Sequence, residues 1–317
     1  MHDDAPTPDL GKPALWQAAQ GIHAAAMARA AMALGQLDAD LAALPQAARA
    51  GAIRRLALSE TAAILSATGR TIRPETIGAD LLDAAPTDDI QALRFARWAV
   101  RRLEGQGATQ DLREFLGLHR AAPSPADSHP RPQADDLDHL ARDFLHLVDG
   151  ADLHPLARGP YARALWRLAG LSPEDAEGEA AIWIARDAAA GCAALTFAPL
   201  GRAHLRLLVD SGPAADRMAG HMLALEQAAQ QARVHLQQVR RWHKDATLRV
   251  AQIKGRNPEH VLAALAAHPL LHTADVAARA GISRITAERL LARMQAMGLV
   301  REATGASRYR LWAAKLR

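Results

Sequence analysis

A chain of 317 residues, 50% hydrophobic but only 4% aromatic, is long enough for two domains, and its abundance of Ala and Leu favours helix over sheet. The one cysteine, Cys192, excludes an intrachain disulfide and any cysteine-built zinc cluster, which suits a reducing compartment. The net charge of +4 conceals a split: residues 230–317 hold 16 Lys and Arg against 5 Asp and Glu, a balance of +11, whereas residues 1–229 hold 22 against 29, a balance of −7. One end of the chain is built to meet a polyanion.

The opening MHDDAPTPDLGKP is polar and acidic, so residues 1–13 are expected to be a flexible tail and not a leader. No apolar run approaches the roughly 18 residues of a membrane span, and a cytoplasmic chain without membrane contact is expected. Ala14–Ala47 has the composition of one or two helices ending near Pro45; Arg49–Leu65 and Asp88–Arg102 read the same way. Between them, Gly69–Leu82 (GRTIRPETIGADLL) suits a tight connection or short hairpin. Pro123, Pro125, Pro130 and Pro132 make Ala121–Gln133 an exposed loop. Further helices are expected at Asp136–Val148, Pro160–Ala169 and Ala176–Cys192, then a long one over Asp216–Ala251. On that last helix Met218, Met222, Leu225, Ala229, Ala232, Leu236 and Val239 step by three or four, so one face is buried, on the N-terminal core or on a second copy of the chain. Cys192 lies in an apolar stretch and reads as a packed thiol.

The clearest pattern follows. Asn257-Pro258-Glu259 opens a helix with Val261, Leu262 and Leu265 inward. Thr273 is placed to cap a second helix carrying Val276 and Ala277, and Ala280-Gly281-Ile282 makes a turn. Ser283 caps a third helix with Ile285, Leu290, Leu291, Met294 and Met297 on its apolar face, ended by Gly298. Two strands, around Leu299-Val300-Arg301 and Arg308–Trp312, flank a Thr304-Gly305 turn. Three helices and a hairpin make a winged helix-turn-helix over residues 253–317, whose partner is double-stranded DNA. In that geometry the third helix leads with Ser283, Arg284, Thr286, Ala287 and Arg289, with Arg284 as the base reader, because its fork matches guanine O6 and N7. Lys254, Arg256, Thr273, Arg293, Arg308 and Arg310 complete the expected DNA-binding set, mainly at phosphates. Residues 254–317 are expected to bind duplex DNA on their own.

In the N-terminal region one segment carries a chemical motif. GADLHPLARGPYARALWRLAGL resembles the active loop of Fic-domain nucleotidyl transferases, in which His-Pro-Phe, two residues and Gly-Asn-Gly-Arg open a helix. The resemblance assigns His154 as the general base; in that family an acid before the first Gly holds Mg²⁺, and the Gly-Asn-Gly backbone with its Arg cradles phosphates. Here Leu156 replaces Phe, Arg158 stands where the metal-binding acid belongs, and Pro160, Tyr161 and Ala162 replace Asn, Gly and Arg. The base is kept and the phosphate site is not, which implies no catalysis, no metal and no cofactor.

REATGASRYRLW, TADVAARAGISRITAERLL and RRLALSETAAILSATGRTIRPETIGADLL extend the resemblance over most of residues 50–315, to a family of Fic-like, helix-turn-helix DNA-binding proteins common on rhizobial and related plasmids. It implies a mainly α protein: a Fic-like all-α domain over residues 14–252 with the long helix at about 216–251, then the winged domain. The function implied is transcriptional regulation, with the Fic-like body serving oligomerisation or sensing; a homodimer is expected, and any small-molecule or protein effector is left open. A divergent Fic-type AMP transferase targeted by its DNA-binding domain, and a DNA-binding adaptor in plasmid maintenance or defence, stand as alternatives. His119, His129, His139 and His146 form no close ligand set with an acid, although His139 and His146 lie two helical turns apart.

Overall fold

The computed structural model describes residues 10–84, 89–118, 131–132, 134–173, 176, 178–203, 212–304 and 310–316. The described part is mainly helical. The N-terminal region runs through α1 (Pro13–Ile22), α2 (Ala24–Ala42), α3 (Gln46–Ala67), α4 (Pro74–Asp80), α5 (Ile90–Leu103), α6 (Leu112–Leu116), α7 (Ala134–Asp149), α8 (Arg158–Leu168) and α9 (Gly178–Ala188). The long helix α10 (Ala214–Val250) leads to α11 (Asn257–Ala267), β1 (Leu271–His272), α12 (Thr273–Ala280), α13 (Arg284–Ala296), β2 (Val300–Glu302) and β3 (Leu311–Ala314). None of the described helices is long and apolar enough to cross a membrane.

Local chemistry explains several boundaries. Asp89 and Asp111 cap α5 and α6 by accepting the backbone N–H of Ala92 and Glu114. Gly69–Leu82 departs from the expected tight connection or hairpin: the chain turns at Gly69 (φ 82°) and then forms α4, with Pro74 in its first turn, where a missing N–H costs nothing. Of the proline-rich stretch at 121–133, only 131 and 132 fall among the described residues. Two loops are pinned by carboxylates from distant helices. Asp38 accepts the N–H groups of Ala193, Ala194 and Leu195, and Glu60, 3% exposed, accepts those of Leu200 and Gly201.

Two main cores result, and α10 belongs to both. Met218, Met222, Leu225, Ala229, Ala232 and Leu236 sit in the large body core with Trp16, Tyr161, Phe144 and Trp183, so the apolar row of α10 is covered within one chain. Further along, Trp242, Ala246 and Val250 enter a second core with Val261, Leu265, Val276, Leu291, Met294 and Trp312. A segment that begins at Lys254 therefore lacks part of its own core. The three strands order as β1-β3-β2, all antiparallel, with Leu271 opposite Trp312 and Val300 opposite Ala314. Alternation along β3 sends Trp312 and Ala314 into the second core, and Leu311 and Ala313 toward Leu270 and Ala79. The central strand β3 is thus covered on both faces.

Candidate functional site

The turn between α12 and α13 is made by Gly281 in the left-handed region (φ 66°), and Ser283 caps α13 by accepting the N–H of Thr286 at 3.2 Å. The Thr286 hydroxyl lies 2.9 Å from the Ser283 hydroxyl, so both are engaged in holding the helix start. From there the phase of α13 is set by Ala287, Leu290, Leu291 and Met294, all buried in the second core. Two corrections follow. Ala287, expected at the DNA face, is 0% exposed and cannot reach a ligand; Ile285, expected inside, is 78% exposed. The core face counts from Ala287, and Ile285 lies two residues back, about 200° round the helix.

The outward row is Arg284, Ile285, Glu288, Arg289 and Arg293. Arg284 donates to Glu288 at 3.0 Å, a pair exposed on both sides and therefore worth roughly 0–1 kcal/mol. The guanidinium is held along the helix but can leave at small cost. Lys254 and Arg256 are exposed between α10 and α11, and Arg310 is exposed just before β3. Arg308 lies outside the described residues. Thr273 is no cap: α12 starts on it, and its hydroxyl accepts the indole N–H of Trp312 at 3.0 Å, which withdraws it from the DNA set. Asn257 is likewise the first helical residue of α11, with Arg256 in the cap position and no side-chain cap bond.

Residues 260–303 match the IclR helix-turn-helix domain. That match spans α11 to β2 and so contains the capped turn and the outward row of α13. The helix-turn-helix supports DNA binding of a regulator type. No curated protein sequence matches the chain. Among solved structures, a Fic family protein from Desulfovibrio desulfuricans G20 superimposes with a TM-score of 0.47 at 14% identity, over 91% of this chain and 95% of that one.

The His154 loop lies on the body. His154 is exposed at the start of a 3₁₀ turn (Pro155–Ala157) that runs into α8; its Nδ1 accepts the N–H of Leu156 at 3.2 Å, and its own N–H donates to Gln20 at 2.8 Å. Arg158 folds back, donating to the Leu153 carbonyl at 3.2 Å and to Asp149 at 3.2 Å, with Asp187 at 4.0 Å. Burial pushes the Asp187 carboxyl up to about 6, against the opposing pull of Arg158. At Gly159 a Cβ would stand 2.6 Å from the His221 ring and 2.9 Å from Ile184, so side chains already fill that side of the helix start. Pro160 and Tyr161 are buried, and Tyr161 packs on Trp16 with ring centroids 6.1 Å apart.

Among the described residues no cluster of His, Cys, Asp and Glu could hold a metal ion. His139 has its Nδ1 2.8 Å from the Asp135 carbonyl, one turn back on α7, while His119 and His129 fall outside the described residues. Cys192 is half-buried, and burial together with Asp38 raises its thiol pKa, the opposite of what a nucleophile needs. Sequence reasoning missed Glu288 as the partner of Arg284, although the i,i+4 spacing was there to be read. It also missed the exposed Ile285.

Proposed function

We propose that the protein is a sequence-specific double-stranded-DNA-binding transcriptional regulator, with a catalytically silent Fic-like body and a homodimeric working state. The observation that carries the DNA half is the outward row of α13 behind a Ser283-capped, Gly281-turned start, within a match to the IclR helix-turn-helix domain. Arg284 and Arg289 offer bidentate donors to guanine at the leading end of that helix, and Ile285 between them offers an apolar surface for a thymine methyl. Ser283 and Thr286 orient the helix start, and Lys254, Arg256, Arg293, Arg308 and Arg310 supply phosphate contacts.

The silent body is supported by the packing at Gly159. His221 and Ile184 occupy the flank of the helix start, and Arg158 turns to Asp149 and Asp187, standing as a fixed cation where a metal ligand would be needed. A general base contributes typically 10²–10⁴-fold, which does not replace positioned phosphates and neutralised charge.

The deciding experiment is a gel shift of the full chain on a random-sequence duplex pool, followed by selection. Retention should fall steeply from 50 to 200 mM salt, as expected for about 6–10 phosphate contacts, and the selected pool should converge on one motif. Arg284→Ala should relax the motif by roughly 1–3 kcal/mol at a single base pair, whereas Arg310→Ala should weaken all duplexes alike. A chain that retains no duplex, or that transfers label from ATP to protein in a His154-dependent way, overturns the reading.

A further inference from the structure

The winged domain meets the body through a contact with close tolerances. On α3, a Cβ at Gly51 would overlap the carbonyl oxygen of Ala267, so only a hydrogen lets the last turn of α11 approach. One turn further along α3, Arg55 is 8% exposed, and one of its terminal nitrogens points at three carbonyls: Leu265 at 2.7 Å, Ala266 at 3.1 Å and His268 at 2.7 Å. These belong to the end of α11, where a helix leaves acceptors without partners and carries the negative end of its dipole. Arg55 is in effect the C-cap of a helix more than 200 positions away in the chain.

The rest of the contact agrees with this seating. A Cβ at Gly78 on α4 would stand 2.5 Å from Leu270 Cδ1, and Leu270, Leu311 and Ala313 pack with Ala79. Arg301 of β2 donates to Glu75 at 2.7 Å, and His272 Nε2 lies 3.0 Å from the Leu82 carbonyl. The outward row of α13 takes no part and stays exposed.

Among the described residues no ion pair involves Arg55, so its charge rests on those carbonyls. Burial pushes its pKa down to about 10, which still leaves it charged at neutral pH. A buried cation of this kind adds little net stability compared with a well-packed apolar residue, but it accepts only one geometry. We propose that Arg55 is a positioning residue that locks the winged domain to the body in a single orientation, so that the two bind DNA as one cooperative unit. The DNA-binding half of this statement rests on the function proposed above; the lock itself does not.

Calorimetry of the full chain tests the lock without DNA, and a duplex selected from a random pool then tests the coupling. Wild type should unfold in one transition that the duplex raises as a whole. Arg55→Met, which keeps the apolar stem and removes the donors, should split it into two transitions, only one of them raised by duplex. Amides of residues 262–272 should exchange at least about tenfold faster in that variant. Gly51→Ala, which displaces α11 without touching Arg55, should reproduce both effects, and it decides the matter should Arg55→Met fail to fold. A single transition in both variants, with exchange at 262–272 unchanged, overturns the lock. A split transition in a protein that retains no duplex supports the lock and removes the DNA reading alone.

Discussion

Cutting the chain before Lys254 leaves the recognition helix and the wing complete, yet it should unfold the DNA reader. The cut removes Trp242, Ala246 and Val250 from the second core. Trp242 is 8% exposed, and its indole N–H donates to the Leu299 carbonyl at 2.7 Å. An aromatic side chain buries about 150–250 Å², which at roughly 25 cal/mol per Å² amounts to about 4–6 kcal/mol. The Leu299 carbonyl keeps the backbone N–H of Lys315 at 3.0 Å, so losing the indole donor adds only about 0.5–1.5 kcal/mol. Val250 and Ala246 together add roughly 2–4 kcal/mol. The total is about as large as the whole stability of an ordinary domain, about 5–15 kcal/mol. Circular dichroism melts and gel shifts of fragments 254–317 and 238–317, run side by side, check this. The longer fragment should melt cooperatively and retain duplex; the shorter should do neither. A cooperative melt with duplex retention by 254–317 would show that the second core closes without the end of α10, and would refute the reasoning.

Two further predictions concern single side chains. At a selected thymine, replacing dT with dU removes one methyl and should weaken wild-type binding about fourfold, on the basis of about 0.8 kcal/mol per buried carbon; Ile285→Ala should be insensitive to the change. An equal dU penalty in both proteins would remove Ile285 from base reading. Asp187, raised from 3.8 to about 6 chiefly by burial, binds its proton more tightly folded than unfolded, so its contribution is present in acid and lost as pH rises through about 6. Asp187→Asn should therefore melt higher than wild type at pH 8, by up to roughly 3 kcal/mol, and equal it near pH 4. His235 and His268, both lowered chiefly by burial from 6.5, run the other way: they favour the folded state above that value, and the benefit is lost as pH falls. A variant no more stable than wild type at pH 8 would contradict the burial of that carboxyl.

Where the fold was legible, the signal was local. Ser283 and Gly281 announce a capped helix after a left-handed turn, and the structure places both there, because capping and positive φ depend only on near neighbours. The hairpin strands were legible from alternation, but β1 was not, since two residues carry no period and Leu271 and His272 are strand only through pairing with β3. Ile285 and Ala287 were exchanged because a short apolar run permits two phases, and only the packing of Leu290, Leu291 and Met294 selects one. Thr273 carries a capping residue type, but its hydroxyl is taken by Trp312, 39 residues away. Nothing in the neighbourhood of Gly51 or Arg55 marks them, because what each serves is the end of α11, more than 200 positions away in the chain. The expected boundary at residues 252 and 253 likewise follows the end of α10 at Val250, whereas burial changes hands between Leu236 and Trp242.

That change of hands, between Leu236 and Trp242, makes α10 a ruler as well as a strut. A helix turns about 100° and advances about 1.5 Å with each residue. Deleting one residue there would leave each core intact and swing one against the other by more than a quarter turn, carrying the α11 carbonyls away from Arg55. Inserting seven residues, close to two full turns, would restore the direction but move the reader about 10 Å outward. Residue number in this short stretch, more than residue type, therefore sets where the recognition helix stands relative to the body, and chains that differ in length here would hold the same reader at a different pitch.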